Sequence, residues 1–173
     1  MLSTLSSWLP PNTGILPYYM ALLSVVSIGN SIQNLLTLHY TRRAYNGLFI
    51  RNPSLPAASA TFVPEDSVNK LVPAPSPTHK GAADQVTPLA ARLFGTWTLL
   101  ASIVRLYAAY NLHIGPVYDM AVWTYVVALG HFGSELFIFK SMTFGKPQFF
   151  PFLFATTALI WMPTVKEHYV QIY

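Results

Sequence analysis

The residues best suited to chemistry in this sequence are a histidine and a glutamate four positions apart, His131 and Glu135. At this spacing both side chains lie on one face of a helix, together with Thr124. Such a pair can relay a proton, or can bind a metal if further ligands are nearby. The other four of the five histidines are scattered, and no HxxH, HxxxH or HxxHH spacing occurs. A lone histidine beside an acid is more often a structural pair than a catalytic one.

The sequence also lacks the common signatures of cofactor and nucleophile sites. It contains no GxGxxG or Walker A loop for a nucleotide, no Tyr-xxx-Lys pair and no Gly-x-Ser-x-Gly elbow. We therefore predict no catalytic residue, no metal and no cofactor.

Charged residues inside or beside apolar segments form two possible pairs. If the segments that carry them run antiparallel, Arg92 and Glu135 lie at depths that agree within about 2 Å, at 1.5 Å per residue. Arg105 and Asp119 both fall near the opposite interface. Because an unpaired charge is unfavourable in hydrocarbon, we predict ion pairs between Arg92 and Glu135 and between Arg105 and Asp119.

A third group of polar residues follows the first apolar segment. Most of them share one helix face, which should turn away from lipid. This face can form hydrogen bonds to other helices of the chain, contact a partner's transmembrane helix, or contact a sterol hydroxyl. The candidate residues for these contacts are Ser27, Asn30, Gln33, Asn34 and Thr37, with His131 as a further candidate.

These residues must be positioned by membrane helices. The 173 residues are 53% hydrophobic and 9% charged, whereas soluble domains average roughly 25% charged residues. This composition excludes a wholly disordered chain and argues against an ordinary soluble domain. We predict an all-α membrane protein, a single bundle of four transmembrane helices. The spans are about 17–38, 89–110, 118–139 and 148–165, the last of which is interrupted by Pro151 and either crosses the membrane or is re-entrant.

The segment between the first two spans has a different composition. Residues 51–88 are rich in proline, which predicts a flexible, disordered loop. Lys and Arg residues are concentrated between the first two spans and between the last two, so the positive-inside rule places both loops in the cytosol. They are Arg42, Arg43, Arg51, Lys70 and Lys80 in the first loop, and Lys140 and Lys146 in the second. The net charge of +4 is therefore read as an orientation signal rather than as a nucleic-acid site, because no basic run is present.

Several segments, taken together, resemble one known family. The second and third spans are similar to those of the ergosterol-biosynthesis protein 28 family, and shorter matches occur in the first and fourth spans. The loop around 51–84 is longer than in that family, so nothing is carried over to it. The matching segments are 89–98, 104–109, 126–135, 138–139, 30–33, 145–146, 156–157 and 161–162.

The resemblance implies a noncatalytic scaffold of the endoplasmic-reticulum membrane. Members of that family tether the enzymes that demethylate sterol carbon four: a methyl oxidase, a decarboxylating dehydrogenase and a ketoreductase. A sterol methyltransferase is a further partner, and membrane lipid surrounds the spans. Self-association is left open. The alternative from the residues is a small membrane enzyme or a sterol-binding carrier that uses His131 and Glu135. A channel or transporter half is a third possibility, disfavoured because no internal repeat is present.

Overall fold

The structure, a computed structural model, describes residues 9–10 and 14–170. Within these residues the fold is mainly helical, with four long helices and one short one. The helices are α1 (Leu16–Leu36), α2 (His39–Ala44), α3 (Pro88–Tyr110), α4 (Gly115–Phe137) and α5 (Lys146–Tyr169). Between α2 and α3, strands β1 (Phe49–Arg51) and β2 (Leu71–Pro73) form an antiparallel pair, and Pro64–Asp66 forms a 3-10 turn.

Local sequence explains where the long helices begin. Each has a proline in its first turn, where the missing N–H has no intrahelical partner and the fixed φ suits the helix. In α3 the cap is also explicit, since the Thr87 hydroxyl accepts a hydrogen bond from the N–H of Ala90 at 3.1 Å. The four prolines are Pro17, Pro88, Pro116 and Pro147.

Three helices of the described chain have the length and composition of a membrane span: α1, α3 and α5. The fourth predicted segment is therefore one continuous helix of 24 residues despite Pro151 and Pro163. Helix α4 has 23 residues but is not among these three candidates. It carries Asp119, His131 and Glu135, which lower its hydropathy. The structure thus supports a helical membrane protein, and the four-span bundle stays a prediction.

One end of the bundle is closed by an apolar core. Residues from the start of α1 and the end of α5 meet α3 and α4 there, and Met20, Tyr118 and Met162 are fully buried. The Tyr118 hydroxyl donates to the carbonyl oxygen of Met162 at 2.6 Å, and the Tyr19 hydroxyl donates to that of Phe154 at 2.8 Å. These bonds satisfy two phenols in an otherwise apolar environment.

Helices α1 and α3 pack closely because small residues line their contact. A Cβ atom added at Gly95 would lie 3.1 Å from the Ser31 carbonyl oxygen and 3.2 Å from the Asn34 Cβ atom. The hydroxyls in this contact bond back to carbonyls of their own helices, as Ser31 does to Ser27 at 2.9 Å. Close backbone approach, rather than hydrogen bonding between these hydroxyls, therefore holds the two helices together.

The segment predicted as a disordered loop has short ordered elements. Strand β1 pairs with β2, and the N–H of Phe49 also donates to the carbonyl oxygen of Ala83 at 2.8 Å. Phe49 and Val86 are buried, and Arg42 lies 3.4 Å from Asp84. The proline content excludes a long helix but allows extended strands with edge prolines, which explains the difference. The linker bounds of 51–88 and its mobility stay predictions.

Candidate functional site

His131 and Glu135 belong to a connected polar cluster of four side chains. The Tyr45 hydroxyl oxygen lies 2.6 Å from Nε2 of His131. On the other side of the ring, Nδ1 lies 4.0 Å from Oε1 of Glu135. The second carboxylate oxygen, Oε2, accepts a short hydrogen bond from the Ser141 hydroxyl. We call Tyr45, His131, Glu135 and Ser141 the polar cluster.

Two loops bring Tyr45 and Ser141 to α4. The N–H of Gly47 donates to the Ser141 carbonyl oxygen at 2.8 Å, and the N–H of Thr143 donates to Oδ1 of Asn46 at 2.8 Å. A Cβ atom on Gly47 would collide with the Lys140 carbonyl oxygen. The loop after α2 therefore lies directly against the α4–α5 loop, and only glycine allows this approach.

The Tyr45 hydroxyl remains protonated over the physiological range. Burial of the side chain raises the pKa of Tyr45 well above its ordinary value, and the negative charge of Glu135 raises it further. The phenol can therefore donate its proton to Nε2 of His131. The imidazole is also covered by aromatic rings, with the Phe94 and Trp97 centroids 6.3 Å and 5.5 Å from its own.

A cavity of about 450 Å³ lies beside the polar cluster. It is lined by Tyr45, Trp97, His131 and Glu135, among others. The cluster could exchange a proton with a small molecule there. In the described part of the chain, however, no group of three or more histidine and acidic side chains is placed to hold a metal ion.

The predicted ion pairs are not found among the described residues. Arg92 is exposed and makes no ion pair with Glu135, which is engaged by His131 and Ser141 instead. Asp119 pairs with Lys166 at 2.6 Å rather than with Arg105. The predicted depths of the two residues in each pair were similar, but the rotation of each helix about its axis turns these side chains toward other neighbours. Depth alone does not determine which side chains meet.

Arg105 is buried on α3, with a relative exposure of 8%. Its Nε donates to the Thr124 hydroxyl at 2.8 Å, and its Nη2 donates to the Thr124 carbonyl oxygen at 3.1 Å. The guanidinium carbon lies 4.2 Å from the centre of the Tyr125 ring. Two hydrogen bonds and a cation–π contact therefore replace the predicted carboxylate.

The polar face of α1 is divided between the bundle and its surroundings. Asn34 is buried, Ser27 and Asn30 are half-buried, and Gln33 and Thr37 are exposed. Oδ1 of Asn34 accepts a hydrogen bond from the Thr41 hydroxyl of α2 at 2.7 Å. The face thus contributes to contacts within the chain, while part of it stays available to lipid or a partner.

A second, larger cavity of about 690 Å³ lies between the four long helices. We call it the central cavity. Its polar lining includes four residues of the α1 face together with Arg105, Tyr125 and Gln148. The rest of its wall is mainly apolar, from residues such as Leu23, Phe132 and Phe154. It occupies the half of the bundle that the apolar core leaves open.

The sequence did not single out Tyr45, Ser141, Tyr125 or Gln148. Tyr45 and Ser141 are found only through tertiary contacts, since 86 residues separate Tyr45 from His131. Gln148 and Tyr125 gave a weak signal as polar groups at the start and in the middle of predicted spans. Nε2 of Gln148 donates to the carbonyl oxygens of Arg43 and Ala44 at 2.9 Å and 2.7 Å, and so closes the end of α2.

Comparison with known proteins gives a consistent result along most of the chain. Residues 16–160 match the family model described as Erg28 like protein. A Gibberella zeae protein named ergosterol biosynthetic protein 28 is 62% identical over 98% of this chain and 99% of its own length. A protein of that name from Candida albicans is 35% identical over 99% of this chain and 100% of its own length. One from Saccharomyces cerevisiae is 32% identical over 92% of this chain and 85% of its own length. No solved structure matches the chain.

Proposed function

Because the chain belongs to the Erg28 like protein family, we propose that it acts in ergosterol biosynthesis as a noncatalytic scaffold of the endoplasmic-reticulum membrane. Its partners are the carbon-four methyl oxidase, decarboxylating dehydrogenase and ketoreductase, with a sterol methyltransferase as a further partner. Tethering raises the effective concentration of each active site for the product of the preceding one. This matters for intermediates that dissolve only in lipid.

The engagement of His131 and Glu135 is the observation that carries the proposal. The histidine contacts Tyr45 and Glu135, and the carboxylate also accepts from Ser141. These contacts join the α2–β1 loop, α4 and the α4–α5 loop. The pair most suited to catalysis is therefore used to hold the fold together, which favours a structural role.

Exposed polar groups at the C-terminal end of α1 offer a docking surface for a partner protein. Gln33 and Thr37 are exposed on α1 among exposed apolar residues such as Ile32 and Leu36. An amide on such a face is better satisfied by a neighbouring helix than by lipid. A partner's transmembrane helix would supply hydrogen bonds to the Gln33 amide, whereas the Thr37 hydroxyl already accepts one from the N–H of His39 at 3.2 Å.

One observation favours a second function, that of a small membrane enzyme or sterol-binding carrier. His131 and Glu135 keep partial side-chain exposure of 33% and 21%, and both line the 450 Å³ cavity. A lipid that entered this cavity would reach a histidine and a carboxylate.

A double variant, His131→Gln with Glu135→Gln, separates the two functions. Both replacements keep hydrogen-bonding groups but remove the capacity to relay a proton. In a fungal strain whose own copy is replaced by the variant, the scaffold proposal predicts normal sterol composition and normal co-isolation of the three enzymes. Loss of sterol flux with intact co-isolation would overturn the scaffold proposal and favour the second function. Thermal unfolding of the purified variant is the control, and it should show a melting transition, as expected for a folded bundle.

A further inference from the structure

Residues around the central cavity carry buried polar atoms that the fold itself does not satisfy. Within the described residues, three buried side-chain atoms have no hydrogen-bond partner: Nδ2 of Asn34, the hydroxyl of Tyr125 and Oε1 of Gln148. All three residues line the central cavity. Buried polar atoms without partners are unfavourable, so their concentration at one cavity calls for an explanation.

The two amides are held in a fixed arrangement by the same short helix. Asn34 accepts from Thr41 through Oδ1, and Gln148 donates through Nε2 to the carbonyls of Arg43 and Ala44. These three α2 residues lie within one helical turn, so one short segment of α2 positions both amides. One amide offers an unused donor and the other an unused acceptor.

A donor and an acceptor together match a hydroxyl group, which can accept from one and donate to the other. The remainder of the wall is mainly apolar and includes Phe132, Phe150 and Phe154. A volume of about 690 Å³ lies in the range of sites that hold one small molecule, roughly 300–1,000 Å³. The cavity therefore suits an apolar molecule with one small uncharged polar end.

We infer that the central cavity binds a single sterol-class lipid through its hydroxyl group. The cavity chemistry selects a hydroxylated apolar ligand, and the choice of a sterol rests on the proposed function in ergosterol biosynthesis. The sterol hydroxyl lies between Asn34 and Gln148, and the rings lie against the phenylalanines of α4 and α5. Tyr125 lines the same cavity beside Arg105 and receives no hydrogen bond from this ligand, whose single hydroxyl lies at the two amides. This site is separate from His131 and Glu135, which line the other cavity.

The test is photolabelling of the purified full-length chain in lipid nanodiscs with a diazirine analogue of ergosterol that keeps the 3-hydroxyl. Mass spectrometry should place the label on α1 and α5 residues of the central cavity. Unlabelled ergosterol should compete, and phosphatidylcholine should not. Equal competition by phosphatidylcholine, or label spread over all outward helix faces, would overturn the inference.

Two variants make the test specific. Gly29 lies at the exposed edge of the central cavity and has no atom within 4 Å of an added Cβ, so Gly29→Leu should narrow the cavity mouth without damaging the fold and should reduce labelling. Gly130 is equally open but lines neither of the two described cavities, so Gly130→Leu is the matched control and should label normally. Unchanged labelling of Gly29→Leu would contradict the site.

Ergosterol methylated at its 3-hydroxyl examines the hydrogen bonds directly. The ether can no longer donate to Oε1 of Gln148, so its affinity should fall by roughly 2- to 10-fold, as expected for one hydrogen bond. Tyr125→Phe is the control, because its hydroxyl has no partner in the fold and the single ligand hydroxyl lies at the two amides, so ergosterol affinity should not change. Equal affinity for ergosterol and its methyl ether would contradict the proposed contact. Because no partner enzyme is present, binding can succeed or fail independently of the scaffold proposal.

Discussion

The hydroxyl oxygen of Tyr45 lies 2.6 Å from Nε2 of His131, and this contact joins the loop after α2 to the C-terminal half of α4. Glu135 and Ser141 continue the same connection to the α4–α5 loop. The cluster thus links the loop after α2 to α4, 86 residues away in sequence, and to the loop that follows α4. It acts together with the backbone bond between Gly47 and Ser141, which joins the same loops.

Replacing Tyr45 with phenylalanine should reduce stability. The change leaves Nε2 of His131 without its partner, at a loss of about 1 kcal/mol. We expect a lower melting temperature in detergent at neutral pH than for the original chain. Tyr40→Phe, at an exposed position of α2, is the control and should melt normally. Equal melting temperatures for all three proteins would show that the contact does not stabilise the fold.

The same residue predicts a pH dependence. The pKa of Tyr45 in the fold is raised above its ordinary value of 10.0, so the folded state holds the proton more tightly than the unfolded state. The resulting stabilisation is fully present below the ordinary value and is lost as pH rises toward the folded pKa. Between about pH 9 and pH 11 the original chain should therefore lose more stability than Tyr45→Phe. Parallel pH profiles for the two proteins would argue against the raised pKa.

Gly95 tests the close packing of α1 on α3. Leucine at this position would force the helices apart, because even a Cβ atom would lie 3.1 Å from the Ser31 carbonyl oxygen. We expect Gly95→Leu to destabilise the bundle by about 1–3 kcal/mol. Gly130→Leu introduces the same side chain into open space on α4 and should have little effect. Similar melting temperatures for the two variants would show that α1 and α3 do not approach so closely.

The two groups first expected to pair, Arg105 and Asp119, should respond differently to substitution. Thr124→Val removes the hydroxyl that accepts from Nε of the buried guanidinium, while the Thr124 carbonyl stays bonded to Nη2, and should lower stability by about 1.5–3 kcal/mol. Asp119→Asn breaks a pair with Lys166 whose side chains are half-exposed, so its effect should stay below about 1 kcal/mol. Chemical denaturation in detergent measures both. A larger loss in Asp119→Asn would restore Asp119 as the partner of Arg105.

Topology can be tested with single cysteines, since the chain has none. The four-span prediction places Thr78 and Thr143 in the cytosol and His113 on the opposite side. In sealed microsomes, a membrane-impermeant maleimide should label Thr78→Cys and Thr143→Cys directly. His113→Cys should react only after permeabilisation. Direct labelling of His113→Cys would show that α3 or α4 does not cross the membrane as predicted.

The sequence predicted the helices better than their contacts. Long apolar runs identify α1, α3, α4 and α5, because the length of a run and its hydrophobicity decide whether it forms a long buried or lipid-facing helix. The contacts of Glu135 and Asp119 depend on helix rotation, and a shift of one residue about the axis turns a side chain by about 100°. The proline-rich segment was read from its composition, which does not reveal the pairing of Phe49 with residues more than twenty positions away.

At the candidate sites, too, the sequence identified residues on one helix but not their contacts with other helices. The α1 polar face was identified from its spacing, and four of its residues do line the central cavity. Its counterparts Tyr125 and Gln148 come from other helices, so no local pattern connects them to Asn34. The contact between Tyr45 and His131 likewise appears only when the loops are folded over the helix ends.

The measurement that most directly tests the scaffold proposal is quantitative isolation of the tagged full-length chain from gently solubilised fungal membranes. Mass spectrometry would then determine which proteins are retained. The proposal predicts that the carbon-four methyl oxidase, decarboxylating dehydrogenase and ketoreductase are retained together, and that the purified chain alone does not convert a 4-methyl sterol. A preparation that contains none of the three enzymes, or a purified chain that transforms the sterol by itself, would contradict it.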